Sequence, residues 1–304
     1  MKLLVLGGSG TLGHMACRVL AGRFDLVATT TSALGEGPGG NDLLRFLPRD
    51  ACVGSLDATD PVALARVLDR VRPDVVLNAV GLIKQRLSDG PDTMRAIRVN
   101  ALLPHELAAA CDERGARLVH VSTDCVFSGE PAGHATDRRG YREDDRADPT
   151  DVYGRTKLLG EVVRPPHLTL RTSFIGRELR TSFGLLEQTI ARRGRRMDGY
   201  AQAIWSGLTT RALCEVLARV MAEHPTLAGL YHVAAPPLSK LELLRRLDAH
   251  LGLGLTIVPT ESPRCDRSLD GSRFTAATGI VIPAWEAMLD ELAADAPRYE
   301  AWRA

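Results

Sequence analysis

The chain has 304 residues, 45% hydrophobic, enough to bury one large core or a core with a smaller lobe. Its 38 Lys and Arg against 37 Asp and Glu give a net charge of +1, which excludes a surface-wide field for nucleic acid or membrane, and no stretch approaches the ~20 apolar residues that span a bilayer. Six cysteines (Cys17, Cys52, Cys111, Cys125, Cys214, Cys265) show neither a C-x-x-C pair nor metal spacing, so reduced thiols, no metal site and a soluble, unexported cytoplasmic protein are expected.

Residues 2–6 form an apolar run of strand length, followed by Gly7-Gly8-Ser9-Gly10-Thr11-Leu12-Gly13 and then a stretch with helical spacing. Strands are expected at 24–30, 51–53, 74–79, 117–122 and 168–172, with helices at 60–71, 92–114 and around Tyr153 and Lys157. The glycine-rich stretch 35–40 reads as a surface loop. This βα rhythm predicts an α/β fold with a Rossmann-type, doubly wound parallel sheet and ligands at the carboxyl ends of its strands. Past residue 172 the rhythm loosens. Helices are expected at 183–192, 209–223, 239–251 and 284–294, with short strands at 231–233 and 255–258. The expected division is a dinucleotide-binding domain at 1–172 carrying the catalytic residues and a small α+β lobe at 173–304, some of whose segments return to the sheet. Residues 128–150 are long for a connection and read either as a flap over the site or as a solvated insertion.

Gly7, Gly10 and Gly13 can turn the chain tightly, admit a pyrophosphate and pack helix on strand, while Thr11, Leu12 and the helix N-terminus offer amides to the anion. Their G-x-x-G-x-x-G spacing is a weak signal alone. Tyr153 and Lys157 are four residues apart and project from one helix face. A fixed ammonium beside the phenol would favour the phenolate, so the pair reads as a tuned proton donor or acceptor. The second strand ends Ala28-Thr29-Thr30-Thr31-Ser32 without the acid that binds NAD's ribose hydroxyls. NADP(H) is therefore favoured, with Thr30 among its contacts, and NAD(H) remains possible.

The glycine turn, Asn78-Ala79-Val80-Gly81, Val121-Ser122-Thr123-Asp124-Cys125-Val126-Phe127, Tyr153-Gly154-Arg155-Thr156-Lys157 and Arg171-Thr172-Ser173-Phe174 together resemble the extended short-chain dehydrogenase/reductases. More narrowly they resemble the dTDP-4-dehydrorhamnose reductase branch, over essentially the whole chain. The resemblance implies reduction of the 4-keto group of a nucleotide-activated deoxysugar. It casts Thr123 as the residue orienting the ketone, Tyr153 as the proton donor, and Lys157 as holding the nicotinamide ribose and keeping the tyrosine's pKa low. It also implies that Asp57 caps the adenine, that Asn78, Ala79 and Gly81 line the cofactor, and that Asn100 serves a proton relay. Asp57 reads equally as an N-terminal helix charge, and Asn100 as a satisfied backbone partner.

The substrate side would comprise Lys84, Asp124, Cys125, Phe174, Gln202, Trp205, Thr209 and Arg267. Related 4,6-dehydratases carry an acid after the Asp, where this chain has Cys125, so dehydration is not expected. Alternatives are another epimerase or dehydrogenase of the superfamily, or a non-catalytic NADP-binding regulatory subunit. The family commonly pairs as a homodimer through helices matching 92–114 and 151–163.

Overall fold

Alternate side chains of the first strand face two different cores, and the architecture follows from that. In β1 (Lys2–Leu6), Leu3 and Val5 join one apolar cluster and Leu4 and Leu6 another, all inaccessible to solvent. A sheet buried on both faces in this way takes parallel strands with helical crossovers. The computed structural model describes residues 1–33, 45–48, 51–87, 91–130 and 140–303; the expected loop at 35–40 lies outside them.

From β1 the chain enters α1 (Thr11–Leu20), β2 (Asp25–Thr29), β3 (Cys52–Val53), α2 (Pro61–Val71) and β4 (Val75–Asn78). One long helical segment follows as α3 (Pro91–Ala96), a π-helical stretch (Ile97–Leu102) and α4 (Leu103–Asp112). Pro104 lacks the amide hydrogen that Asn100's carbonyl would receive in a regular α-helix, a local cause for the wider turn. Next come β5 (Arg117–Thr123), α5 (Val152–Leu159), β6 (Leu168–Thr172), β7 (Phe174–Ile175), α6 (Leu185–Ala191), β8 (Arg196–Tyr200), β9 (Ala203–Trp205) and β10 (Leu208–Thr209). The chain continues through α7 (Thr210–Glu223), β11 (Gly229–His232), β12 (Leu238–Ser239), α8 (Lys240–Leu251), β13 (Thr256–Thr260), β14 (Cys265–Asp266), α9 (Ser272–Thr278) and α10 (Trp285–Arg303).

The main sheet has the order β11-β6-β5-β4-β1-β2-β3, and every pairing is parallel. Strand order reverses between β1 and β4, which leaves a crevice beyond Leu6 and Asn78, paired in register. Small sheets β8–β13 and β12–β9–β14 build the lobe beside it, while α7 packs on α1 and α10 on α7 and α8. Helix α10 runs nine residues past the expected end at 294, with Pro297 inside it. Helix α9 and the strands β7, β8, β9, β10, β12 and β14 were not anticipated; two or three residues are too few to display a period of two, and β8, Arg-Met-Asp-Gly-Tyr, is polar and holds a glycine.

The segment from 140 onward is built in rather than a flap. Tyr141 is 1% exposed, stacks on Phe127 with ring centroids 4.0 Å apart, and donates its amide to Ser268 O at 2.8 Å. Residues 131–139 lie outside the described ones. Among the described residues no helix is long and apolar enough to cross a membrane.

Candidate active site

The turn after β1 is shaped by what its glycines leave out. Gly7 sits at φ +81°, and a Cβ on Gly13 would lie 2.0 Å from Gly7 O, so α1 can approach β1 this closely only with glycine there. Gly10 is the N-cap of α1 and provides no side-chain cap, which leaves the first amides of the helix open to an anion. Thr11 borders the main cavity, whereas the Leu12 side chain is in the core and leaves only its backbone for a ligand. This uncapped glycine cradle fits a dinucleotide pyrophosphate.

The cradle is tied to the far end of the chain. His14 bonds Gly10 O through Nδ1 at 2.8 Å and the Tyr299 hydroxyl through Nε2 at 2.7 Å. Arg18 makes a bidentate pair with Asp295 at 2.5 and 2.6 Å. Burial lowers the His14 pKa to about 4, keeping the ring neutral.

At the neighbouring strand ends, Thr30 is buried and its hydroxyl donates to Ser32 O at 2.8 Å. Asp57 is exposed, and hydrogen bonds from the Thr59 hydroxyl and amide hold its carboxyl below the usual range; the cap of α2 is Asp60. Asn78 Oδ1 accepts from Val80 N at 3.1 Å, and Gly7 packs directly against Ala79 and Val80. Asn100, buried in the π-helical stretch, clamps both the amide and the carbonyl of Leu82 and reaches Thr156 Oγ1 at 3.3 Å. Its amide therefore fixes the loop containing Gly81, and Asn100 does not border the cavity.

Thr123 ends β5. Its hydroxyl accepts from Cys125 N and donates to Asp124 Oδ1, both at 3.1 Å, and it shares the cavity wall with the Tyr153 side chain. Tyr153 occupies the first turn of α5, whose N-cap Asp151 accepts from Gly154 N at 2.8 Å. A Cβ at Gly154 would lie 2.2 Å from Cys125 O, so glycine beside the tyrosine lets α5 close onto the end of β5.

One turn on, Lys157 is 5% exposed and donates to Val121 O at 2.7 Å, with His120 Nε2 at 3.4 Å. His120 Nδ1 contacts Asn78 Nδ2 at 3.2 Å, and burial together with the Lys157 charge pushes its pKa well down. Burial lowers the Lys157 pKa to about 8 and raises that of Tyr153 above its ordinary value, with the nearby Thr123 hydroxyl opposing the rise. The expectation that Lys157 keeps the phenol's pKa low is thus corrected: desolvation dominates at the phenol, and the ammonium is directed at β5.

Thr123, Asp124, Cys125, Tyr153, Phe174, Trp205 and Arg267 come together around a cavity of about 1070 Å³. Lys84 does not join them, being ion-paired with Asp151 at 2.8 Å and 60% exposed. Gln202 is spent on Glu261 at 2.7 Å, and Thr209 is the buried N-cap of α7. Cys125 is held as a neutral thiol, pushed up to about 12 by burial and then by Asp124. Asp124 is itself buried, which raises its pKa against the pull of Lys240 and Arg267. Arg267 donates from Nε to Phe127 O at 2.9 Å, and Lys240 Nζ sits 4.3 Å from the Trp205 ring centroid. Sequence reasoning missed Lys240 and His120. The first follows an unremarked Ser239 cap, and the second is a single polar residue in an apolar strand.

A parallel sheet with its switch point behind a glycine turn, and Thr, Tyr and Lys gathered at β5 and α5, define the extended short-chain dehydrogenase/reductase class. The chain belongs to the RmlD substrate binding domain family, whose model matches residues 1–297. It is similar to a dTDP-4-dehydrorhamnose reductase of Salmonella typhimurium, 26% identical over 94% of this chain and 95% of that protein. It is also similar to a dTDP-4-keto-6-deoxy-D-glucose reductase of Streptomyces niveus, 40% identical over 53% of this chain and 46% of that protein. The fold matches the dTDP-4-dehydrorhamnose reductase of Bacillus anthracis solved with NADP, with a TM-score of 0.76, 20% identity, and coverage of 97% and 99% of the two chains.

Proposed function

We propose that this protein is an NAD(P)H-dependent reductase of the 4-keto group of a nucleotide-activated deoxysugar. The observation that carries the reading is the gathering of Thr123 and Tyr153 at the wall of a large cavity, with Lys157 buried behind them. Relatives over nearly the full length are dTDP-4-dehydrorhamnose reductases, and NADPH is the favoured cofactor, given the acid-free end of β2 and the fold match to a reductase solved with NADP. Gly7, Gly10 and the first amides of α1 would hold its pyrophosphate, Asn78 to Gly81 its central portion, and Lys157 its nicotinamide ribose. Bound there, it supplies a hydride to the keto carbon.

The chain's own residues do the rest. Thr123 orients the carbonyl oxygen, and the Tyr153 phenol, kept protonated by burial, gives that oxygen its proton. The neutral Cys125 leaves no second acid beside Asp124 for dehydration. Phe174, Trp205, Lys240 and Arg267 offer apolar faces and cations to the sugar nucleotide. We assign residues 1–172 to the cofactor and catalysis and 173–304 mainly to the substrate.

The reading extends to a cytoplasmic homodimer. Met94, Ile97 and Leu102 on the long helix and Leu159 on α5 are 41–66% exposed, on two helices that pack together. The test is NADPH oxidation with dTDP-, UDP-, GDP- and CDP-linked 4-keto-6-deoxy sugars. Oxidation that requires one of them is expected. Tight NADPH binding with no oxidation for any would favour a regulatory subunit.

A further inference from the structure

In a dinucleotide-binding sheet the end of the second strand meets the adenosine ribose, through an acid where the 2′-hydroxyl is free and near an arginine where it is phosphorylated. Here β2 runs out through Thr30, Thr31 and Ser32 with no acid. The cation arrives from elsewhere: Arg180, between β7 and α6 and 148 residues downstream, donates from Nη1 to the Ser32 hydroxyl. Arg180 is exposed. Neighbouring arginines are neutralised, Arg177 by Glu187 at 2.8 Å and Arg18 by Asp295, but no carboxylate among the described residues pairs with Arg180.

The Ser32 turn is itself fixed. Ser32 O accepts from both Thr30 Oγ1 at 2.8 Å and Ser55 N at 2.9 Å, which pins the end of β2 to the chain leaving β3. The acid on that side, Asp57, is occupied by Thr59 and makes no contact with the guanidinium. Among the described residues Arg180 makes one Nη1 bond, to Ser32, which leaves most of its five guanidinium donors without a partner there, beside exposed Thr31.

We propose that Arg180 binds the adenosine 2′-phosphate of NADP(H), so that a residue from the substrate half of the chain sets the cofactor preference. The inference rests on the reading of the glycine turn as a dinucleotide site. A guanidinium fork matches a phosphate dianion bidentately and has no comparable partner in the 2′-hydroxyl of NAD(H).

The test is fluorescence titration of the full chain and its Arg180→Met variant with NADPH and NADH, with competition by 2′,5′-ADP and 5′-AMP. The wild type should bind NADPH more tightly than NADH, and 2′,5′-ADP more tightly than 5′-AMP. Arg180→Met should weaken NADPH and 2′,5′-ADP by ~10-fold or more and leave NADH and 5′-AMP within about twofold. An NADPH-to-NADH ratio that is the same in both proteins, or equal losses for both dinucleotides, would overturn the assignment. A wild-type protein that binds neither dinucleotide would instead overturn the site itself, and the role of Arg180 with it.

Discussion

Lys157 Nζ lies 2.7 Å from Val121 O and 3.4 Å from His120 Nε2, so the ammonium is pinned to β5 at the back of the site. Burial has brought its pKa from 10.5 to about 8, with Glu161 opposing the fall. Between those values the unfolded chain binds the proton and the folded one releases it, so stability attributable to this group rises with pH from about 8 to about 10.5. Below pH 8 the full penalty is present. Lys157→Met should therefore abolish turnover yet stabilise the fold at pH 7, by up to about 3 kcal/mol. Urea unfolding of both proteins at pH 7 and pH 10.5 checks this, and a stability gap of the same size at both pH values would contradict it.

Tyr153 carries the proton in the proposed reaction, and burial keeps it a phenol at working pH. Tyr153→Phe should lower turnover by roughly 10²- to 10⁴-fold and leave NADPH affinity within about twofold. Thr123→Ala, which removes the hydroxyl bonded to Asp124 on the wall it shares with Tyr153, should also act mainly on turnover. Steady-state rates with fluorescence titration of NADPH separate the two effects. Wild-type turnover in Tyr153→Phe would sink the mechanism.

Beneath the site, Glu161 and Arg171 form a bidentate pair at 2.8 Å with both side chains 5% exposed, and Ser122 Oγ donates to the same carboxylate at 2.7 Å. Arg171 also lies 5.2 Å from the Phe127 ring centroid and 3.3 Å from His232. Removing the acid strands a buried guanidinium, so Glu161→Ala should cost about 3–5 kcal/mol. The expected observation is a lower urea midpoint with an unchanged slope; a midpoint near wild type would mean that water reaches the arginine.

On the substrate wall, Lys240 and Arg267 flank the buried Asp124. Lys240→Ala should raise KM for the sugar nucleotide by ~10-fold and leave NADPH affinity alone. Arg267→Ala should do the same with some loss of stability, since its Nε also supports Phe127 O. Parallel loss of NADPH affinity in Lys240→Ala would remove that residue from the substrate side.

Much of this was readable from residue order, and the division has physical causes. Gly7, Gly13, Tyr153 and Lys157 sit within short local patterns whose geometry is set by one turn or one helix, so their placement followed from spacing. The behaviour of Tyr153 did not, because its pKa depends on desolvation by residues distant in sequence. Gln202, Thr209 and Lys84 were expected on the substrate side, yet each is occupied by a partner, Glu261, the start of α7 and Asp151 respectively. Lys240 and Arg180 escaped notice because nothing local marks them; what matters is the strand end or aromatic ring they meet across the chain.

The His14–Tyr299 bond joins positions 285 apart. The glycine turn is synthesised long before Tyr299, so the tie between His14 and α10 can form only after that helix has docked. Contacts of such separation are slow to form, since a long loop must close before they return any energy. The dinucleotide cradle thus precedes α10 in synthesis and waits on it for this tie. During synthesis the protein should acquire its sheet well before it acquires the capacity to grip a cofactor, and a ligand that selects the docked helix would speed the final step toward the native state.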